Sequence, residues 1–182
     1  VDEAGRGPLA GPVVVAAVIL PEAYDLAFLD DSKRLSAKKR DILLPQIEQQ
    51  AISCSVEFVE VDEIDKVNIL QATMNGMQRV IENLNTLPVR ALIDGNRAPK
   101  MPCEVKTIIG GDGLIPCISA ASVLAKVYRD RFMLDMHEKY PEYGFDRHKG
   151  YPTALHLQRL RQFGPCPIHR KSFAPVRNLL SK

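Results

Sequence analysis

The pattern of hydrophobic and polar residues predicts several strands in the first two thirds of the chain. Val13–Leu20 is a continuous apolar run rich in β-branched residues, which is typical of a buried strand. Residues 51–61, AISCSVEFVEV, alternate between polar and apolar positions and predict a strand with one wetter face. Two short apolar segments that lead into glycine, VRALID and EVKTIIG, also predict strands.

Capping residues and helical spacing predict two helices in the first half of the chain. Ser36 is a suitable N-cap for a helix that continues to about Gln50, although Pro45 must bend this helix or lie near its start. Asn68 can cap a second, longer helix, in which Ile69 and the apolar residues after it recur at helical spacing.

Two further helices are predicted in the second half. Pro116 suits the first turn of a long helix that continues to about Tyr140. A final helix is expected from Pro152 to about Phe163, where Gly164 and the proline after it would stop it.

This order of elements predicts an α/β fold, with a mixed sheet and helices packed on both of its faces. The early strands suggest antiparallel pairing at one side of the sheet, and the later alternation of strand and helix suggests parallel pairing at the other. At 182 residues, the chain is expected to form a single domain over residues 1–182.

Charge is distributed unevenly along the chain. Residues 1–125 contain 12 Lys and Arg against 17 Asp and Glu, whereas residues 126–182 contain 12 against 5, together with all four histidines. An acidic catalytic part joined to a basic C-terminal helical part fits a site that gathers cations beside a surface that holds a polyanion. A solvated pair of C-terminal helices is the alternative explanation for the basic part.

Four scattered cysteines and the lengths of the apolar runs indicate the compartment. The cysteines form no CxxC pair and no zinc-ligand spacing with the histidines, so we expect free thiols in a reducing cytoplasm. The longest apolar run is far shorter than the ~20 residues of a membrane helix, and no signal-peptide pattern is visible. Because the chain lacks an initiator Met, we expect that residues precede Val1.

Four carboxylates occupy strand ends or glycine-rich turns. Asp2 and Glu3 belong to the first strand-like segment, Asp94 closes VRALID, and Asp112 lies in GGDG after EVKTIIG. Ligands of open α/β sheets collect at the carboxyl ends of strands, so neighbouring strands would bring the four acids together. Hard oxygen ligands favour Mg²⁺ or Mn²⁺, and a pair of such ions supports in-line displacement at phosphorus. Each acid taken alone could equally be a cap or turn residue.

Seven segments together resemble the successive motif blocks of type 2 ribonuclease H, the bacterial ribonuclease HII family. They occur in the family's order with compatible spacing, from residue 1 to about residue 177. No single block is specific, but the set of seven is. The blocks are DEAGRGPLAGPVVVAAVIL, DSKRLS, NILQATMNGMQ, LIDGN, GGDGLIPCISAASVLAKVYRD, YGFDRHKGYPT and HRKSFAPV.

The resemblance implies a ribonuclease H-like fold, with a mixed five-stranded sheet flanked by helices. It implies endonucleolytic cleavage of RNA in RNA–DNA hybrids and on the 5′ side of a lone ribonucleotide in duplex DNA, leaving 5′-phosphate and 3′-hydroxyl ends. The family's catalytic and metal-binding acids fall on Asp2, Glu3, Asp94 and Asp112, and the cofactor is Mg²⁺ or Mn²⁺, with two metals expected. The partners are then nucleic acid and no membrane, and nothing in the composition demands more than a monomer.

The resemblance also assigns residues that contact the substrate. Gly5, Arg6 and Gly7 would read the RNA–DNA junction, because bare backbone can approach the ribose 2′-OH. Tyr151 would pack on the ribonucleotide's sugar and bond its 2′-OH.

Contacts with the nucleic-acid backbone are expected from Lys33 and Lys126 and from Asn96 beside Asp94. Arg34, Arg129, Lys149 and Arg170 are further candidates for phosphate contacts, although a single basic residue is more often solvated surface.

The chain departs from the family at one place. Some members carry KGDS around the fourth acid, where this chain has Gly110 and Gly113, so a role for that lysine does not transfer. Two other functions stay open from the sequence. One is a DNA-cutting nuclease or strand-transferase on the same fold, and the other is a non-catalytic hybrid-binding protein.

Overall fold

A computed structural model describes residues 1–27, 29–30 and 32–181. The first residue of the DSKRLS block, Asp31, and the last residue of the expected domain, Lys182, lie outside the described residues. The strands are β1 (Asp2–Ala4), β2 (Val13–Ile19), β3 (Ser53–Val59), β4 (Arg90–Asp94) and β5 (Glu104–Ile108). The helices are α1 (Ala37–Gln50), α2 (Val61–Val67), α3 (Ile69–Glu82), α4 (Pro116–Lys139), α5 (Phe145–His148), α6 (Ala154–Phe163) and α7 (Ala174–Leu180).

The strands form a three-stranded sheet, β1-β2-β3, and a two-stranded sheet, β4-β5, which meet edge to edge in the order β3-β2-β1-β4-β5. Strands β1, β2 and β3 pair antiparallel, whereas β4 and β5 pair parallel. Residue 1 joins the two groups, because its carbonyl accepts from the Asp94 amide at 3.0 Å and its nitrogen donates to the Leu92 carbonyl at 2.7 Å. One residue bonded to both neighbours of residue 93 is the pattern of parallel strands. The predicted mixed five-stranded sheet is confirmed.

Strand β2 is apolar throughout because both of its faces are covered. Val14, Ala16 and Val18 pack into a core with α1 and α4, while the residues between them pack into a second core with α3 and β4. Side chains alternate between the two faces of a strand, so a strand covered on both sides has no polar positions. The continuous run Val13–Leu20 therefore signals the centre of the sheet.

The predicted helix starts correspond to caps in the structure. The Ser36 side chain accepts from the Lys39 amide, and α1 continues through Pro45 to Gln50. Asn68 has φ +74° and its side chain accepts from two amides at the start of α3. It also ends α2, which lies only one residue before α3. Pro116 is in the first turn of α4, as predicted.

The prediction that the helix ending at Phe163 is the final one is wrong. Helix α7 follows it, and its seven residues span only two turns, too few for a clear hydrophobic period. A distant residue supports the turn that leads into α7: Asp65 accepts from the amides of Lys171 and Ser172 at 2.9 and 2.8 Å. Such a long-range cap leaves no local signal in the sequence.

The acidic and basic parts of the chain share one helix. The division at residue 125 falls inside α4, whose first half packs on β1 and β2. The change in charge therefore does not coincide with the end of a secondary-structure element. Among the described residues, none of the helices has both the length and the apolar character needed to cross a bilayer.

Candidate active site

Two of the predicted acids meet because β1 and β4 are neighbouring parallel strands. Asp2 lies at the start of β1 and Asp94 at the carboxyl end of β4. Asp94 is held by the Gly111 amide, which donates to its Oδ1 at 2.7 Å. Asp2 is almost fully buried, and its Oδ1 accepts from the Glu3 amide at 2.7 Å. Both side chains are therefore oriented by backbone donors.

The third acid reaches the same point through a tight turn after β5. Gly110 has φ +67°, a conformation that favours glycine, and leads into a single 3₁₀ turn over Gly111–Gly113. Asp112 lies in this turn, and its carbonyl accepts from the Ser119 hydroxyl of α4 at 2.6 Å. The glycines predicted to allow a tight turn thus place Asp112 beside β4.

Asp2, Asp94 and Asp112 form a carboxylate triad. Each offers one oxygen, and the three oxygens lie within 4.8 Å of one another. Oxygen ligands of one octahedral Mg²⁺ lie about 3–4 Å apart, because each is about 2.1 Å from the ion. The triad is therefore close to the spacing that one ion imposes.

Glu3 stands beside this triad and is not part of it. Consecutive strand residues point to opposite faces, yet Glu3 still lines the same groove as Asp2 and Asp94. Its side chain is only 15% exposed, its Oε1 is 3.4 Å from Arg6, and its Oε2 is buried without a hydrogen-bond partner. An orphaned carboxylate oxygen is costly to bury, and a cation would satisfy it.

The electrostatics of the acids fit the same cation. Burial raises the pKa of Asp2 to about 7, and the neighbouring Glu3 carboxylate adds to the rise. Burial also raises the pKa of Glu3, although the Arg6 guanidinium works against it. A divalent ion would favour the ionised forms, and a set of oxygen donors alone suits Mg²⁺ or Mn²⁺. The residues present therefore fit the metal that the sequence implied.

A groove of about 480 Å³ runs beside the acids and contains most of the predicted substrate residues. We call it the main groove. Asp2, Glu3 and Asp94 line its acidic side. The other predicted residues that line it are Gly5, Arg6, Gly7, Lys33, Lys126 and Tyr151. Residues separated by up to 149 positions in the sequence thus share one concave surface.

The two lysines in the main groove have acidic partners. The Lys33 ammonium lies 2.9 Å from Asp112 Oδ2, on a side chain that is 75% exposed. Lys126 pairs with Asp130 one helical turn away at 2.7 Å, and Arg40 lies 3.7 Å from the same carboxylate. Positive charge therefore borders the triad on the side of α1 and α4.

Asn96 lies apart from these residues, in a smaller side groove of about 230 Å³. Asn96 and Arg97 form part of its rim, and Met74 and Met77 of α3 form part of its wall. Glu3, Arg6 and Asp94 line both grooves. The side groove is therefore an extension of the acidic site on the other side of β1.

Arg129 and Arg170 are not available for the phosphate contacts considered above. Both side chains are buried, with 1% and 0% exposure. Arg129 donates to the carbonyls of Ala10, Pro12 and Lys149. Arg170 donates through all five of its N–H groups to the carbonyls of Gly5, Arg6, Pro8 and Gly11. Burial lowers the pKa of Arg129 to about 10 and of Arg170 to about 9. These arginines support the Gly5–Gly11 loop from inside.

The carbonyls of the Gly5–Gly11 loop are taken up by the two buried arginines, which leaves the loop's N–H groups to be considered. Gly5 has φ +98°, and a Cβ there would lie 2.0 Å from Arg129 Nε, so its glycine is required by the arginine beneath it. Gly7 is exposed and faces the ring of Tyr151. Within the described residues no acceptor takes the N–H of Arg6 or Gly7. Two residues that line the main groove thus have amide donors with no acceptor among the described residues.

Tyr151 lines the main groove beside Gly7. Its side chain is 44% exposed, and the Arg129 guanidinium carbon lies 5.9 Å from the ring centroid. Gly150 precedes it with φ +85°, and a Cβ there would lie 2.6 Å from the Ala10 carbonyl oxygen. The tyrosine loop and the Gly5–Gly11 loop therefore pack directly against each other.

Sequence reasoning missed polar residues that support the triad. The hydroxyls of Ser32 and Ser122 share a hydrogen bond of 2.7 Å, and a hydrogen bond from Ser122 favours the ionised form of Asp2. Ser119 and Ser122 lie three residues apart in an apolar part of α4, so they share a helix face. The sequence did contain a signal for these residues, namely two serines at helical spacing in an otherwise apolar part of a helix.

Lowering the pH from about 6.5 to about 4 should remove a contribution of His156 and His169 to the free energy of unfolding, whereas the raised pKa of Asp2 acts in the opposite direction over the same range. Burial lowers the pKa of His156 and His169 to about 4, compared with 6.5 in the unfolded chain. Below pH 6.5 the unfolded chain binds protons that the folded chain does not. The stabilisation is thus complete above pH 6.5 and is lost as the pH falls towards 4, by up to about 3 kcal/mol for each ring. Urea unfolding at several pH values between about 6.5 and about 4 measures the change in the free energy of unfolding.

His156→Asn compared with the parent isolates this contribution, because the effect of Asp2 is common to both proteins. The pH slope of the unfolding free energy should be smaller in His156→Asn than in the parent. Equal slopes in the two proteins contradict the prediction.

Comparisons with known proteins agree with the site. The ribonuclease HII family profile matches residues 1–176. Ribonuclease HII of Bordetella avium is 58% identical over 177 residues, 97% of this chain and 88% of that protein. Ribonuclease HII of Burkholderia lata is 58% identical over 99% of this chain and 84% of that protein. The crystal structure of ribonuclease H2 from Pyrococcus horikoshii superimposes with a TM-score of 0.82 at 26% identity, covering 99% of this chain and 95% of that chain.

The mixed sheet and a cluster of three of the predicted acids are thus found in a chain that closely matches these proteins. The chain belongs to the ribonuclease HII family, the endoribonucleases that hydrolyse RNA in RNA–DNA hybrids.

Proposed function

We propose that this enzyme uses Mg²⁺ or Mn²⁺ to nick duplex DNA on the 5′ side of a single embedded ribonucleotide, in addition to cutting RNA in hybrids. The nick leaves 5′-phosphate and 3′-hydroxyl ends. One observation carries the proposal: Asp2 and Asp94 of the carboxylate triad line the same groove as the Gly5–Gly7 backbone and Tyr151. A phosphodiester at the acids would thus bring its ribose within reach of groups suited to a 2′-OH.

Asp2, Asp94 and Asp112, with Glu3 beside them, would hold the ions, which when bound supply Lewis acidity for attack by water at phosphorus. The chain's own residues orient the substrate. The open amides of Arg6 and Gly7 can bond ribose or phosphate oxygens without reading a base. Tyr151 lies beside Gly7 on the same groove, so loop and ring together can contact one sugar.

Three side chains are placed to bind the nucleic-acid backbone. Lys33 brings positive charge to the edge of the triad, and Lys126 does so farther along α4. Asn96 offers an amide at the rim of the side groove. Contacts of this kind fix position and not sequence, as expected for an enzyme that acts at any ribonucleotide.

We further infer that the enzyme works as a single-domain monomer over residues 1–182 in a reducing cytoplasm. Both grooves are built from one chain, which supports the monomer. All four cysteines are free thiols, which fits a reducing compartment.

The test is a duplex DNA oligonucleotide that contains one ribonucleotide. We expect a nick at its 5′ side with Mg²⁺ or Mn²⁺ and no product after EDTA. An all-DNA duplex of the same sequence is the control and should stay intact. Cleavage of a long hybrid without cleavage of the single-ribonucleotide duplex would refute the proposed specificity.

The two alternatives raised by the sequence are less well supported. A DNA-cutting nuclease or strand-transferase would not need backbone and tyrosine groups suited to a 2′-OH. Cleavage of the all-DNA control duplex would support this alternative. A non-catalytic hybrid-binding protein is inconsistent with membership of an enzyme family.

Tyr151→Phe should lower kcat/KM on the single-ribonucleotide duplex about tenfold, because one hydrogen bond to the 2′-OH is lost while the ring remains. Steady-state cleavage at several substrate concentrations measures the change. Tyr140→Phe, which alters a tyrosine that lines neither groove, is the control. Equal rates for Tyr151→Phe and the parent would show that the hydroxyl has no role.

A further inference from the structure

Three buried histidines lie directly beneath the loop that carries Tyr151. The rings of His148 and His156 stack with centroids 4.4 Å apart and planes 12° from parallel. His169 lies behind them, with its Nε2 at 3.0 Å from His156 Nε2. All three are at most 7% exposed. The proposed mechanism assigns none of them a task, although such a polar cluster must be fully hydrogen-bonded to be stable.

The backbone partners determine which ring nitrogens carry protons. The Cys166 amide donates to His169 Nδ1 at 3.0 Å, so the proton of His169 lies on Nε2. His169 therefore donates to His156 Nε2. The remaining nitrogen of His156, Nδ1, then carries its proton and donates to the Tyr151 carbonyl at 2.9 Å. A directed chain of hydrogen bonds thus ends on Tyr151.

The stacked partner holds the other side of the same loop. The Gly150 amide donates to His148 Nδ1 at 3.2 Å, and His148 Nε2 donates to the Tyr143 carbonyl at 3.0 Å. Lys149 and Gly150 both have positive φ, so this loop adopts a conformation that needs support. His148 thus accepts from the Gly150 amide, which precedes Tyr151, and His156 donates to the Tyr151 carbonyl.

We propose that His156, oriented by His169, is a positioning residue that sets the angle at which the Tyr151 ring meets the ribose. The inference rests on the proposed contact between Tyr151 and the ribonucleotide. His156 is fully buried beneath the loop, so it would act through the Tyr151 carbonyl and would not touch the substrate.

Two substitutions at the same position separate this role from a general contribution to folding. In His156→Asn the side-chain amide nitrogen replaces Nδ1 and can still donate to the Tyr151 carbonyl, while the bond from His169 is lost. In His156→Gln the amide reaches the place of Nε2, which keeps the bond from His169 and loses the one to Tyr151. Each variant loses one buried hydrogen bond, so circular dichroism and urea unfolding should show similar stabilities.

We expect kcat/KM on the single-ribonucleotide duplex to fall about tenfold in His156→Gln and less than about threefold in His156→Asn. In a Tyr151→Ala background the difference in kcat/KM between His156→Gln and His156→Asn should disappear, because there is no ring left to position. If Tyr151→Ala is costly but the difference persists in that background, the positioning role is overturned and the proposed contact survives. If Tyr151→Ala costs nothing, the contact itself fails, and the inference fails with it.

A measurement on the unaltered protein covers the case in which the variants do not fold. Long-range proton–nitrogen NMR correlations distinguish the two neutral forms of a histidine ring. We expect His156 protonated on Nδ1 and His169 protonated on Nε2. A spectrum with His156 protonated on Nε2 would mean that the ring does not donate to Tyr151 and would overturn the proposal.

Discussion

Asp94→Asn should lower kcat by about a thousandfold or more while the protein stays folded. The substitution removes one negative charge from the triad and weakens its hold on a divalent cation. The fold should survive because an asparagine oxygen can still accept the Gly111 amide that now bonds Asp94 Oδ1 at 2.7 Å. Single-turnover cleavage at saturating Mg²⁺, with circular dichroism on the same samples, measures both effects.

Asp41→Asn is the control for Asp94→Asn. Asp41 is an exposed acid of α1 that pairs with Arg131 at 3.4 Å, away from both grooves. Its loss should change kcat less than twofold, because exposed ion pairs contribute little. If Asp94→Asn retained a tenth of the parent rate, the triad could not be the catalytic centre.

Arg170→Gln should destabilise the protein by about 3–5 kcal/mol. The buried guanidinium satisfies four carbonyls of the Gly5–Gly11 loop, and glutamine can replace only a small part of these bonds. Carbonyls left without donors retain their full cost of burial, and the loop should detach from its support. Cleavage should therefore fall even at temperatures where the variant is folded. Urea unfolding gives the stability, and cleavage at 20–25 °C gives the second effect.

Arg177→Gln is the matched control for Arg170→Gln. Arg177 is exposed and makes one long contact, 3.5 Å, to the Ser172 carbonyl. Its substitution should change the unfolding free energy by less than about 0.5 kcal/mol. Arg170→Lys is informative as well, because lysine keeps the charge but lacks the planar fork. A fully stable Arg170→Lys variant would contradict a role that depends on several simultaneous bonds.

The parts of the fold that the sequence predicted are those with a local physical cause. Val13–Leu20 is apolar because both faces of β2 are covered, and Asn68 is recognisable because its side chain caps the helix that follows. The acids were identifiable because a carboxylate at the end of an apolar strand must lie at the rim of the sheet. Their convergence then follows from strand order, which the motif resemblance supplied.

The parts that the sequence could not predict depend on long-range partners. Arg129 and Arg170 look like surface cations in the sequence, yet they are buried because the carbonyls of a loop more than 100 residues away turn towards them. Gly5 lines the main groove, and its missing Cβ also makes room for Arg129, a partner that the sequence does not reveal. Glu3 was grouped with the other acids, and it lies beside the triad without contributing to the compact set of three oxygens.

The most direct measurement is an anomalous difference map at the manganese absorption edge, from crystals grown with MnCl₂. We predict a manganese peak within bonding distance of carboxylate oxygens from Asp2, Asp94 and Asp112, and its loss in crystals of Asp94→Asn. Manganese bound elsewhere on the protein, with no peak among these three side chains, would contradict the account.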